Sequence, residues 1–142
     1  MRTAEEWGRL AVSLPGWRWM PGMLALWSLD EDPPMPLRLT EDASDGHNYT
    51  TNPVWSGVRS DREYNDHELD PEWCWPDPDD PATEGCLVRL LGNPRRARQA
   101  LTAAGHHNDA HRLHIAFMLG EGIGPACIAA AAAIGRWPGG EG

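Results

Sequence analysis

Fourteen residues near the start, Leu14-Pro-Gly-Trp-Arg-Trp-Met-Pro-Gly-Met-Leu-Ala-Leu-Trp27, constrain the fold more than any other stretch. They hold three of the chain's eight tryptophans, Trp17, Trp19 and Trp27, and two Pro-Gly pairs. A Pro-Gly pair turns the chain, because proline presets φ and glycine accepts a positive φ. Trp17 and Trp19 alternate about Arg18, which predicts a short strand between the turns. Their large apolar faces need a core, and Met23, Leu24, Leu26 and the flanking helices are placed to supply it.

The elements on either side follow from local signals. Thr3 and Glu6 form a capping box, and Trp7, Leu10, Ala11 and Leu14 recur at helical spacing until Pro15 and Gly16 stop the helix. Met23–Leu29 is an apolar run that suits a buried strand. Leu37 and Leu39 alternate with Arg38 and Thr40, which predicts a second strand antiparallel to the first. Asp80 is a natural N-cap with Pro81 at the first helical position. Cys86, Leu87, Leu90 and Leu91 make one apolar face, and Gly92 closes that helix. Asn93-Pro94 repeats the start signal for a helix over Arg95–Ala104, with Ala97, Ala100, Leu101 and Ala104 inward. Over His106–Met118, the alternation of Leu113, Ile115 and Phe117 favours a strand, with helix as the close alternative. Gly124-Pro125 opens a last helix to Ile134, and 138–142 reads as a loose tail. The expectation is a single α+β domain over 142 residues, a small antiparallel sheet packed against three or four helices.

Residues 41–80 lose periodicity and read as a long loop-rich acidic insertion, with Trp55, Val58, Trp73 and Trp75 as anchors. The charge is uneven. Residues 30–84 hold sixteen acids against Arg38, Arg59 and Arg62, a net of −13, while 85–142 carry a net of +3 within a total of −9. All the basic residues are arginine. An acidic middle argues against nucleic-acid binding, which needs cations to displace counterions. It suits a surface that meets a basic partner protein, and Asp61, Glu63, Asp66, Glu68, Asp70 and Glu72 are the candidate contacts.

Two further clusters carry chemistry. Arg95, Arg96 and Arg98 crowd the first turn of a helix, where cations oppose the helix dipole. They either contact an anion or carboxylate, or pair internally with the acidic stretch. His107, His111 and His114 stand at i, i+4 and i+7, one face if the segment is helical. With Asp109, and with Cys74 or Cys86 from outside, they are the ligand set of a metal-dependent enzyme alternative. No close cysteine pair supports a zinc knuckle, so no metal and no other cofactor is expected. Cys74, Cys86 and Cys127 read as free thiols, and Cys127 as a structural cysteine near a helix start. No phosphate loop, nucleophile elbow or dinucleotide fingerprint is present. The charged N-terminus reads as no signal peptide, and Ile128–Ile134 is too short to span a membrane. A cytoplasmic protein without membrane contact is expected.

Leu14-Pro-Gly-Trp-Arg-Trp-Met-Pro-Gly-Met23, Asp80-Pro-Ala-Thr-Glu-Gly-Cys-Leu87 and Gly120-Glu-Gly-Ile-Gly-Pro-Ala-Cys-Ile-Ala-Ala130 together resemble small acidic, mostly uncharacterised proteins of tailed bacteriophages. The resemblance covers the first helix, the tryptophan turn and the later helices, and leaves out Glu41–Trp75. It implies a phage-encoded protein expressed inside a bacterium and carries no catalytic residues. By analogy such proteins bind host machinery or host defence, as anti-CRISPR-type inhibitors do. A structural or virion-associated oligomer is the remaining alternative.

Overall fold

Capping at the helix starts and glycine at several of their ends set the helical skeleton. A computed structural model describes residues 2–20, 22–27, 35–39, 48–53, 63–65 and 74–140. Helix α1 is Ala4–Ser13, and both arms of the Thr3/Glu6 capping box form, each at 3.1 Å. Donation from the Thr3 amide to Glu6 holds that carboxyl below its ordinary pKa. Helices α2 (Pro81–Leu91) and α3 (Pro94–Ala103) start at the expected caps, Asp80 and Asn93. Helices α4 (His107–Leu119) and α5 (Ile123–Ile134) follow, and a single 3-10 turn, Pro138–Gly140, closes the described chain.

The strands are β1 (Leu24–Trp27), β2 (Met35–Leu39), β3 (Asn48–Pro53), β4 (Glu63–Asn65) and β5 (Cys74–Pro76). They form one antiparallel sheet in the order β4-β3-β2-β1-β5. The expected pairing of the first two strands holds, with Leu24 opposite Arg38 and Trp27 opposite Met35. β5 sits on the other side of β1, with Ala25 opposite Pro76. A proline is tolerated there because β5 is an edge strand. The stretch 41–80, expected as loop, therefore contributes three short strands.

The helices pack on the β1–β5 end of the sheet: α1 lies against β5 and α5, while α5 is flanked by α2, α3 and α4. One core cluster joins Met23 and Ala25 of the sheet region to Leu87, Leu90, Leu101, Leu113 and Ile128. Two polar contacts fix the seam. Thr83, fully buried, accepts from the Leu24 amide at 2.8 Å and donates to Asp80 at 3.0 Å. Glu84 accepts from the Gly124 amide at 3.3 Å, placing a carboxylate at the positive end of α5. Gly124 itself presses on the Pro78 backbone, and a built Cβ would lie 2.9 Å from the Pro78 carbonyl carbon.

Four local expectations change. Residues 106–118 are helical, not a strand: Ala110, Leu113 and Ala116 bury at helical spacing between α3 and α5, and Gly120 ends the helix at φ +70°. That conversion brings the α-helices to five among the described residues. Trp17–Met20 is irregular rather than a strand. Trp19 is core as expected, whereas Trp17 is half-buried, edge-on to Trp19 with centroids 5.4 Å apart. Ala100 and Ala104 are exposed, leaving Ala97 and Leu101 as the inward face of α3. Of the tail expected to be loose, Pro138–Gly140 form the 3-10 turn and Gly139 packs against the backbone at the end of α2, while Trp137, just before it, is fully buried.

Candidate functional site

Arg95 and Arg98 of the arginine cluster and His107 and His111 of the histidine cluster meet on one surface. Asn93 accepts from the amides of Arg95 at 2.9 Å and Arg96 at 3.4 Å, which fixes the register of α3. With Ala97 and Leu101 buried, Arg95, Arg98, Gln99 and Thr102 fall on the opposite, exposed face. A Schellman motif then reverses the chain: the His106 amide donates to Leu101 at 2.7 Å and the Gly105 amide to Thr102 at 3.1 Å. Gly105 takes φ +88°, which a side chain rarely adopts. Helix α4 returns beside α3, and His107 and His111, one turn apart, come up against the arginine face. Arg95, Arg98, Gln99, Thr102, His107 and His111 line an open groove of about 590 Å³, with Ala103 and Ala110 as its apolar portion.

Arg96 points elsewhere, since one residue along a helix is a rotation of about 100°. It lines a second hollow of about 370 Å³ with Arg136, Ile134 and Gly139. None of Arg95, Arg96 and Arg98 pairs with a carboxylate among the described residues. Of the candidate acidic contacts, Asp61, Asp66, Glu68, Asp70 and Glu72 lie outside the described residues, and Glu63 begins edge strand β4.

The histidine set does not converge. His107 and His111 line the groove, while His114 is half-buried and outside its lining. Among the described residues no three His, Cys, Asp or Glu side chains gather into a group able to hold a metal. Cys74 and Cys86 are buried in the core, away from this face. Burial pushes the Cys74 and Cys127 thiols up to about 12 and raises that of Cys86. Such thiols stay protonated at neutral pH and are poor nucleophiles and poor ligands, so Cys127 is structural despite its place near a helix start.

Three neighbouring large apolar residues at the end of α4 face solvent: Phe117 is 38% exposed, Met118 66% and Leu119 63%. Met118 stands eleven residues after His107, three helical turns on, and so continues the His107–His111 stripe. On the far side of α4, Arg112 lies over the Trp7 ring at 4.9 Å from its centroid, and Arg2 at 5.4 Å. The Arg112 contact ties α4 to α1. In the sequence the arginine and histidine clusters stand apart. The i, i+3, i+4, i+7 stripe of Arg95, Arg98, Gln99 and Thr102 was the signal that could have joined them, once 106–118 was taken as helix. No helix among the described residues is long and apolar enough to cross a membrane. No protein-family model, curated protein or solved structure matches the chain.

Proposed function

We propose that the chain is a phage-encoded, non-catalytic accessory protein that acts by binding a protein inside its bacterial host, with inhibition of host machinery or defence as the effect. The observation that carries this reading is the segregation of charge: a net of −13 over residues 30–84 and +3 over 85–142. An acidic stretch of that density is attracted to a basic, nucleic-acid-binding groove on a partner and is repelled by nucleic acid itself. The exposed Phe117, Met118 and Leu119 add apolar surface of the kind that protein contacts cover.

The test is capture from host lysate on the immobilised chain, followed by mass spectrometry, for the wild type and a Glu68→Gln/Asp70→Asn variant. A defined basic host protein, released by salt and lost in the variant, supports the proposal. Recovery of the chain alone supports the oligomer alternative. One equivalent of zinc in protein purified without added metal, lost when His107 and His111 are both replaced, would promote the enzyme alternative.

A further inference from the structure

We infer that the α3–α4 groove is a further docking surface, and that it takes an acidic, carboxylate-rich segment of a partner protein. Two guanidiniums on α3 face two imidazoles on α4 across a groove open to solvent. No carboxylate of the described residues pairs with Arg95 or Arg98, so their forks are available for bidentate acceptors. Charge complementarity therefore calls for an anion.

The form of that anion follows from the surroundings. Helix α3 has ten residues and is about 15 Å long, the reach of roughly five extended residues. A short peptide segment fits that length. Ala103 and Ala110 give the groove an apolar portion, and the stripe runs on past His111 to the exposed Met118. A segment mixing carboxylates with an apolar side chain matches both features. A nucleic acid matches less well, because a chain of net charge −9, with −13 in one stretch, repels a phosphate polymer at long range. A segment that alternates carboxylates with apolar side chains carries fewer charges per length, so the same field repels it less, and its apolar side chains can meet Ala103 and Ala110.

This inference concerns α3 and α4 alone and is read on Arg95, Arg98, His107 and His111, so it and the proposed function fail independently. The probe is a fluorescein-labelled decapeptide of glutamate and leucine, titrated at low salt by fluorescence anisotropy, with a decathymidine oligonucleotide as the competing polyanion. The peptide should bind the wild type more tightly than the oligonucleotide does. Arg95→Gln/Arg98→Gln should weaken it about tenfold, as expected for charge-assisted contacts at a partly exposed site, and His107→Gln/His111→Gln by less, through altered groove walls. Arg89→Gln, exposed on α2 outside the groove, should change nothing. Four results overturn the inference: no peptide binding, equal binding by the Arg95/Arg98 variant, tighter binding of the oligonucleotide, or self-association of the free chain abolished by that same variant. The last assigns the groove to a second copy.

Discussion

Replacing Trp137 by alanine tests the packing of the helical layer at its most loaded point. The side chain is fully buried, its Nε1 donates to the Ala11 carbonyl at 2.9 Å, and its ring meets Trp17 at a centroid distance of 6.0 Å. Its amide donates to the Pro15 carbonyl at 2.8 Å, so the residue staples the end of α1 to the end of α5. Truncating a buried tryptophan costs about 3–5 kcal/mol. Within that sum, the indole hydrogen bond to a carbonyl at a helix end accounts for about 1 kcal/mol. For a domain of this size each kcal/mol moves the melting temperature by about 2–4 °C, so Trp137→Ala should lower it by about 10–15 °C. Trp137→Phe keeps one six-membered ring but loses the pyrrole and its N–H, so its shift should be smaller, about half of that. Thermal unfolding followed by far-UV circular dichroism, with urea titration as the equilibrium check, reads both. An alanine variant melting within about 2 °C of the wild type would refute the staple.

Trp19→Ala should cost on the order of 3–5 kcal/mol; a wild-type melt would place the tryptophan stretch on the surface. Gly124→Ala should destabilise by about 1–3 kcal/mol, because the added methyl overlaps the Pro78 backbone. Helix propensity alone predicts the opposite sign, so an unchanged or raised melting temperature denies the close approach. Cys74 and Cys127 should make stability fall at high pH. Below an ordinary thiol pKa of 9.0 both states are protonated and stability is full; between there and about 12 only the unfolded chain ionises, and stability is lost. Denaturant titrations from neutral to alkaline pH should show that slope, and a Cys74→Ala/Cys127→Ala variant with an undiminished slope removes thiol burial as its cause.

Much of the helical layer was legible because its signals are local. Thr3, Asp80 and Asn93 cap helices whatever surrounds them, and Gly92 ends one of them. The β1–β2 pairing was legible for the same reason, from two short apolar runs with a polar connection. What was hidden depends on distant partners. The alternation of Leu113, Ile115 and Phe117 mimics a strand, and only packing between α3 and α5 decides for the helix. Trp137 follows a glycine and an arginine in a glycine-rich tail, and nothing beside it announces its contact with Ala11, 126 residues away in the chain. β5 joins the sheet beyond β1, a crossing that no nearby residue encodes. The groove needed both corrections at once, since Arg95 and His111 face each other only when α4 is helical and folded back on α3.

The central claim, binding through the acidic stretch, is tested most directly by association kinetics with the captured partner. The rate for wild type and for Glu68→Gln/Asp70→Asn is measured across a salt series, together with each protein's melting temperature. Steered association predicts a wild-type rate that falls steeply through ~0.1 M salt, where the Debye length is about 10 Å. The variant should associate more slowly and melt like the wild type, since exposed charges contribute little to stability. A rate that ignores both salt and the substitutions, with a lowered melting temperature in the variant, contradicts the claim and returns the acidic residues to a role inside the fold.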